Sequence, residues 1–132
     1  MKLALLPLIV ATLAASCERD ETLTAYGASD RTWTLQTLDG VPFAARATLT
    51  FPAEGSVAGM APCNSFRGPQ TAPYPWFAAG PLLTTRRACP DLKAEQAFLR
   101  ALEDMSLAEI AGDVLILSND QGREMVFSAA PE

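Results

Sequence analysis

The sequence contains no histidine. That excludes Ser-His-Asp and Cys-His catalysis, histidine metal ligation and an imidazole pH switch. Basic side chains are few, ten Lys and Arg against fifteen Asp and Glu, for a net charge of −5. A nucleic-acid binder presents a basic face, so no nucleic-acid partner is expected. Cysteine is scarce and odd in number, three in all, and each one needs a role. No GxGxxG, P-loop or HExxH pattern occurs. Beyond Lys2 only Lys93 remains as a lysine, and no serine precedes it at S-x-x-K spacing. At 132 residues one domain is the default.

What the chain does have begins at its N-terminus. Met1 and Lys2 give a positive start, and Leu3 to Leu13 is an apolar run of 11 residues. A bilayer span needs about 18 to 20, so this run suits the core of a secretory signal instead. Small residues follow, Ala14-Ala15-Ser16, and then Cys17. Two processed forms fit. The segment resembles a bacterial lipoprotein signal, which ends in a small residue and a cysteine that becomes a lipidated residue one. Ala14-x-Ser16 also suits an ordinary signal peptidase, which releases a soluble exported protein. The lipoprotein form is preferred, because it gives Cys17 a purpose. Removing residues 1–16 takes away one charge, Lys2. The remaining 116 residues carry nine basic and fifteen acidic groups, a net −6.

Glu18 to Asp30 is polar, lacks alternation and ends in Gly-Ala-Ser-Asp. It reads as a flexible tether. Regular patterning starts at Thr32. Trp33, Leu35 and Thr37 alternate with polar residues, and Asp39-Gly40 signals a tight turn. Ala47, Leu49 and Phe51 mark a second strand, and Ser56 to Ala61 a third, with Gly59 allowing a close approach. Asn64 to Gly68 points Phe66 inward, and Pro69 to Pro75 is loop. Short strands are expected at Trp76-Phe77 and over Leu82 to Ala88. Asp91 N-caps a helix over about 91–105, with Leu92, Phe98, Leu99, Leu102 and Met105 on one stripe. Asp91, Glu95, Glu103 and Asp104 are read as its exposed, solvated face. A strand over Leu107 to Ile110 and a C-terminal β-hairpin, Val114 to Leu117 with Arg123 to Phe127, complete the chain. The fold class is α+β: a mainly antiparallel sheet curled into a partly open barrel, with one main helix and a C-terminal hairpin.

With Cys17 assigned to lipid, Cys63 and Cys89 remain, 26 residues apart. An exported domain lives where disulfides persist, and a bridge is preferred over two free thiols or a metal site. Two cysteines without CxxC spacing and without histidine make a poor zinc site, so no metal and no cofactor are expected.

Gly59…Cys63-Asn64-x-Phe66-x-Gly68, then Thr84-Thr85-Arg86-Arg87-Ala88-Cys89-Pro90 and the helix, resemble the META domain family of HslJ-like bacterial lipoproteins. Trp33-x-Leu35, Asp39-Gly40, Leu49-x-Phe51 and the closing Gly112-Asp113-x-Leu115-x-Leu117…Gly122…Phe127 hairpin agree in order and spacing. Pro62 and Gln70 depart from the family pattern, which often has glycine and tyrosine there. The resemblance implies a partly open barrel with a helix, an envelope location, and a link to envelope stress or antibiotic tolerance. It does not by itself assign an enzymatic activity. The expected division is therefore 1–16 signal peptide, 17–30 lipidated cysteine and flexible tether, and 31–129 META-like domain.

The most site-like residues are Asn64, Thr85, Arg86 and Arg87. Arginine clamps anionic groups bidentately, but here pairing with a buried carboxylate or capping carbonyls beside the disulfide is preferred. Asn64 is read as turn-stabilising. No catalytic residue is assigned. Three functions are carried forward. The first is a non-catalytic binding or accessory module, held to a membrane by its lipid anchor and contacting an envelope protein partner. The second is a carrier of a small apolar ligand or lipid in a cavity between sheet and helix. The third is an unrecognised enzyme.

Overall fold

Period-two alternation does produce strands here. Trp33 and Leu35 enter the core from β1 (Trp33–Leu38), and Leu49 does so from β3 (Thr48–Thr50), with Ala47 and Phe51 buried on either side. The structure is a computed structural model that describes residues 4, 5, 7–11 and 19–129. Cys17, the expected lipidation point, lies outside the described residues, as do several positions of the expected signal segment. Residues 4, 5 and 7–11 are exposed and belong to no strand or helix.

The remaining elements are β2 (Val41–Pro42), β4 (Ser56–Met60), β5 (Ser65–Pro69), β6 (Leu83–Thr84), α1 (Leu92–Asp104), β7 (Leu107–Ala111), β8 (Val114–Ser118) and β9 (Glu124–Ala129). They form one antiparallel sheet in the order β6-β5-β4-β3-β1-β9-β8-β7, with β2 beside β1. The first and last strands meet in the middle, Trp33 opposite Ala129 and Leu38 opposite Met125. The sheet is not closed, and β6 and β7 are its two ends. This is the expected α+β architecture.

Irregular chain lies along the β7 end. Trp76 forms a single bridge with Leu107, the Ala108 N–H donates to the Pro75 carbonyl at 2.8 Å, and the Phe77 N–H donates to that of Ser106 at 3.0 Å. The chain then returns to β5, where the Gly80 N–H donates to the Pro69 carbonyl at 3.0 Å. The 70–82 loop thus covers an edge that would otherwise expose unpaired backbone groups. Buried Gln70 shapes it, because its Oε1 accepts the N–H groups of Ala72 and Ala78 at 3.2 and 3.0 Å. The strands expected at 76–77 and 82–88 shrink to that bridge and to the two residues of β6. Beyond Thr85 the Asn64 side chain takes both the N–H and the carbonyl of Arg87, which ends the ladder there.

Both poles of the curled sheet, across the strand termini rather than along its edge strands, are covered. At one end α1 buries Phe98, Ala101 and Leu102, and Phe98 meets Phe66 edge-on at 5.6 Å between ring centres. Arg123 ties this end together, its Nη2 on Asp39 at 3.1 Å and its Nη1 on Asp104 at 2.7 Å. At the other end Leu23, 0% exposed, sits in a 3-10 turn over Leu23–Tyr26. The Tyr26 and Tyr74 rings stack at 4.8 Å, the Trp33 indole N–H donates to the Ala28 carbonyl, and Arg31 lies over the Trp33 ring.

That second cover corrects the expected flexible tether. From Asp20 onward the segment is part of the domain, and its Tyr74-facing backbone is engaged: the Tyr74 N–H donates to the Glu21 carbonyl at 2.7 Å. The physical reason is Leu23. A fully buried leucine contributes roughly 2 kcal/mol, and buried Ala28, the Thr22–Pro73 bridge, the Tyr26–Tyr74 stack and the Trp33–Ala28 hydrogen bond add to it.

Gly59 shows why the sheet curls tightly. A Cβ there would collide with the Thr48 carbonyl oxygen on the neighbouring strand and press on the Phe66 ring. Only glycine lets β3 and β4 approach so closely with Phe66 beneath them.

Candidate functional site

The turn between β4 and β5 carries Cys63 and Asn64, and two separate pieces of chain hold it. One is the segment after β6, to which Cys63 is joined by a disulfide with Cys89, Cα atoms 5.6 Å apart. The expected pairing is therefore present. The other is α1, through Glu95. Its Oε1 accepts the N–H groups of Cys63 at 3.0 Å and Asn64 at 2.7 Å, and its Oε2 accepts the Asn64 side-chain amide at 2.7 Å.

Glu95 corrects the reading of the helix. It was expected on the solvated face, yet it is 4% exposed. Burying a carboxylate is costly unless it is hydrogen-bonded, and here three donors meet it. Two of those donors are backbone N–H groups of an irregular turn, which have no ladder partner of their own. Its sequence signal is spacing: Glu95 lies three residues before Phe98 of the apolar stripe. A lone acid at such a position is a candidate for a buried anchor.

Asn64 is the hub. Its Oδ1 accepts the Arg87 N–H at 2.6 Å and the Thr85 hydroxyl at 2.9 Å, and its Nδ2 donates to the Arg87 carbonyl at 3.0 Å as well as to Glu95. An asparagine amide offers two donors and one oxygen with two lone pairs, and all are engaged. Thr85 Oγ1 in turn accepts the Ser65 N–H at 3.2 Å. Three of the four expected residues thus meet at one joint, Arg87 through its backbone alone. Arg86 does not join it.

The expected pairing of the arginines with a buried carboxylate is not what forms. Arg86 and Arg87 are exposed, and among the described residues the ion pairs are Arg31 with Asp113 and Arg123 with Asp39 and Asp104. The buried carboxylate of Glu95 is satisfied by amides instead, so no cation is needed there.

At the Arg123 junction, the Glu124 N–H donates to Asp39, and the Arg123 guanidinium reinforces it; together they hold the Asp39 carboxyl below the usual carboxylate range. Asp39 in turn raises the Arg123 guanidinium above its ordinary value, with Asp104 adding to the effect. This pair joins the β1–β2 turn to the β8–β9 turn at the surface.

Beside the joint lies an open groove of about 750 Å³ on the outer face of β3 to β6. Arg46 and Arg67 line it, with Thr48, Thr50, Ser65 and Thr85. A second groove of about 400 Å³ shares Ala58, Arg67 and Leu83 with it. No residue of α1 lines either one, so neither is the sheet–helix cavity that an apolar carrier would use. Among the described residues no cluster of three or more His, Cys, Asp or Glu is placed to hold a metal. No helix of the described residues is long and apolar enough to cross a membrane.

The comparisons with known proteins show a family and a shared fold. The sequence pattern of the META domain matches residues 21–132. A solution structure of a protein from Burkholderia xenovorans superimposes with a TM-score of 0.63 at 21% identity, covering 96% of this chain and 100% of that one. A crystal structure of a DUF4847 family protein from Bacteroides vulgatus gives 0.63 at 13% identity, over 83% of this chain and 99% of that one. At these identities the likeness concerns the fold. No curated protein matches the chain.

Proposed function

The chain belongs to the META domain family, and on that premise we propose that it is an exported, lipid-anchored accessory module that acts by contact with an envelope protein rather than by catalysis. The link to envelope stress or antibiotic tolerance that the resemblance implies is part of this proposal. The observation that carries it is the closed Asn64–Glu95 joint. The motif residues Asn64 and Thr85 and the buried Glu95 turn their hydrogen-bonding groups on one another and on backbone. That use of polar residues supports a role in holding a surface in shape. The address rests on the leader, the small residues before Cys17, and Cys17 itself.

The test has two parts. Cys17→Ser is expected to block lipid attachment and release the domain from the membrane fraction; unchanged processing and association would remove the anchor from the proposal. In-cell crosslinking followed by detergent extraction is expected to yield one reproducible envelope protein partner. Repeated absence of any crosslinked species would remove the accessory role.

A further inference from the structure

Charge is unevenly divided along this chain. Residues 40–90 carry Arg46, Arg67, Arg86 and Arg87 against a single carboxylate, Glu54, a net +3. The rest of the sequence carries the balance, −8. The positive stretch supplies β3 to β6, whose outer face is the groove that Arg46 and Arg67 line. None of the four arginines has a carboxylate within ion-pair distance among the described residues. Two of the four, Arg46 and Arg67, line this one groove, so an acidic protein carries a local positive potential there.

The lining fits one kind of occupant. Ser65 and Thr84 line the groove beside Thr48, Thr50 and Thr85, whose hydroxyls are engaged with the Met60 N–H, the Ala58 carbonyl and Asn64, and Met60 and Leu83 are 54% and 64% exposed. The groove crosses four strands, about 14 to 15 Å from β3 to β6 at the usual strand spacing, a length that four to five extended residues span. One side of it is the uncovered end of the sheet. The Thr85 N–H donates to the Ser65 carbonyl, so by antiparallel alternation the backbone groups of Thr84 and Arg86 face away from β5.

We propose that this face binds an extended acidic segment of a partner polypeptide, its carboxylates on Arg46 and Arg67 and its apolar side chains on Met60 and Leu83. The inference rests on the reading of the domain as a contact module, and not on its anchor. A flat anionic bilayer fits a concave, threonine-lined groove poorly.

The test uses a fluorescein-labelled peptide of about eight alternating Glu and Val residues and the folded domain, followed by fluorescence anisotropy. Saturable binding that weakens with salt is expected. The paired change Arg46→Ala with Arg67→Ala is expected to weaken it by about tenfold or more. Arg100→Glu alters net charge by the same amount away from the groove and is expected to leave it unchanged. No binding by the wild-type domain would overturn the proposal, as would equal loss in both variants. Preference for anionic phosphatidylglycerol vesicles over the peptide, or self-association abolished by the paired change, would assign the face to a membrane or to a second copy. If the paired variant still crosslinks the envelope partner as wild type does, the contact role stands and the groove loses its part in it.

Discussion

Glu95 Oε1 accepts the N–H groups of Cys63 and Asn64 at once, at 3.0 and 2.7 Å, across 32 and 31 residues of sequence. One carboxylate therefore positions both the cysteine that is bridged and the asparagine that organises the 85–87 segment.

Glu95→Ala removes the acceptor of three hydrogen bonds and leaves buried donors unpaired. It is expected to cost about 3 kcal/mol or more, read as a lower urea midpoint. Glu95→Gln keeps one acceptor oxygen but turns an amide donor toward the Asn64 amide, so part of the loss should remain.

Reduction of the Cys63–Cys89 bridge should lower stability by about 3 to 4 kcal/mol on loop-entropy grounds. In the non-reduced, unfolded mature protein neither Cys63 nor Cys89 should react with maleimide. Labelling of both would show that the bridge does not form.

Leu23→Ala separates a packed cover from a loose tether. The fully buried side chain predicts a loss of about 2 to 4 kcal/mol. A free tether predicts no change in the unfolding midpoint.

The Asp39–Arg123 pair predicts a pH dependence. The Asp39 carboxyl is held low by the Glu124 N–H and then by Arg123. Its contribution is thus present above the ordinary carboxylate value, about 4, and is lost as pH falls through the lowered folded-state value. Asp39→Asn tolerates the positive φ of 51° at that turn. The side chains are 43% and 30% exposed, so the difference from wild type should be under about 1 kcal/mol at neutral pH. It should shrink with salt and vanish in acid.

Much of the fold was legible because alternation is a local signal. Trp33, Leu35, Leu49 and Phe66 face inward as their spacing requires. The helix stripe was equally plain, from Phe98 to Met105. What escaped depended on distant partners. Glu95 is buried only because Cys63 and Asn64 present amides to it from another hairpin. Leu23 sits in a polar stretch, and nothing local says that a barrel end waits for it. Asn64 and Thr85 were found through motif resemblance, whereas the groove arginines Arg46 and Arg67 carried no motif. The uneven charge of residues 40–90 is the sequence signal that could have found them.

The pairing of Trp33 with Ala129 brings the start of β1 and the end of β9 together at the end covered by Leu23. The domain is therefore unipolar in its attachments. The chain enters the domain at Asp20 and leaves it at Ala129 on this one pole. The α1 pole, with its Arg123 junction, stays clear of both. A reporter at either end of the domain measures the same side of the molecule, and a probe on the helix measures the other.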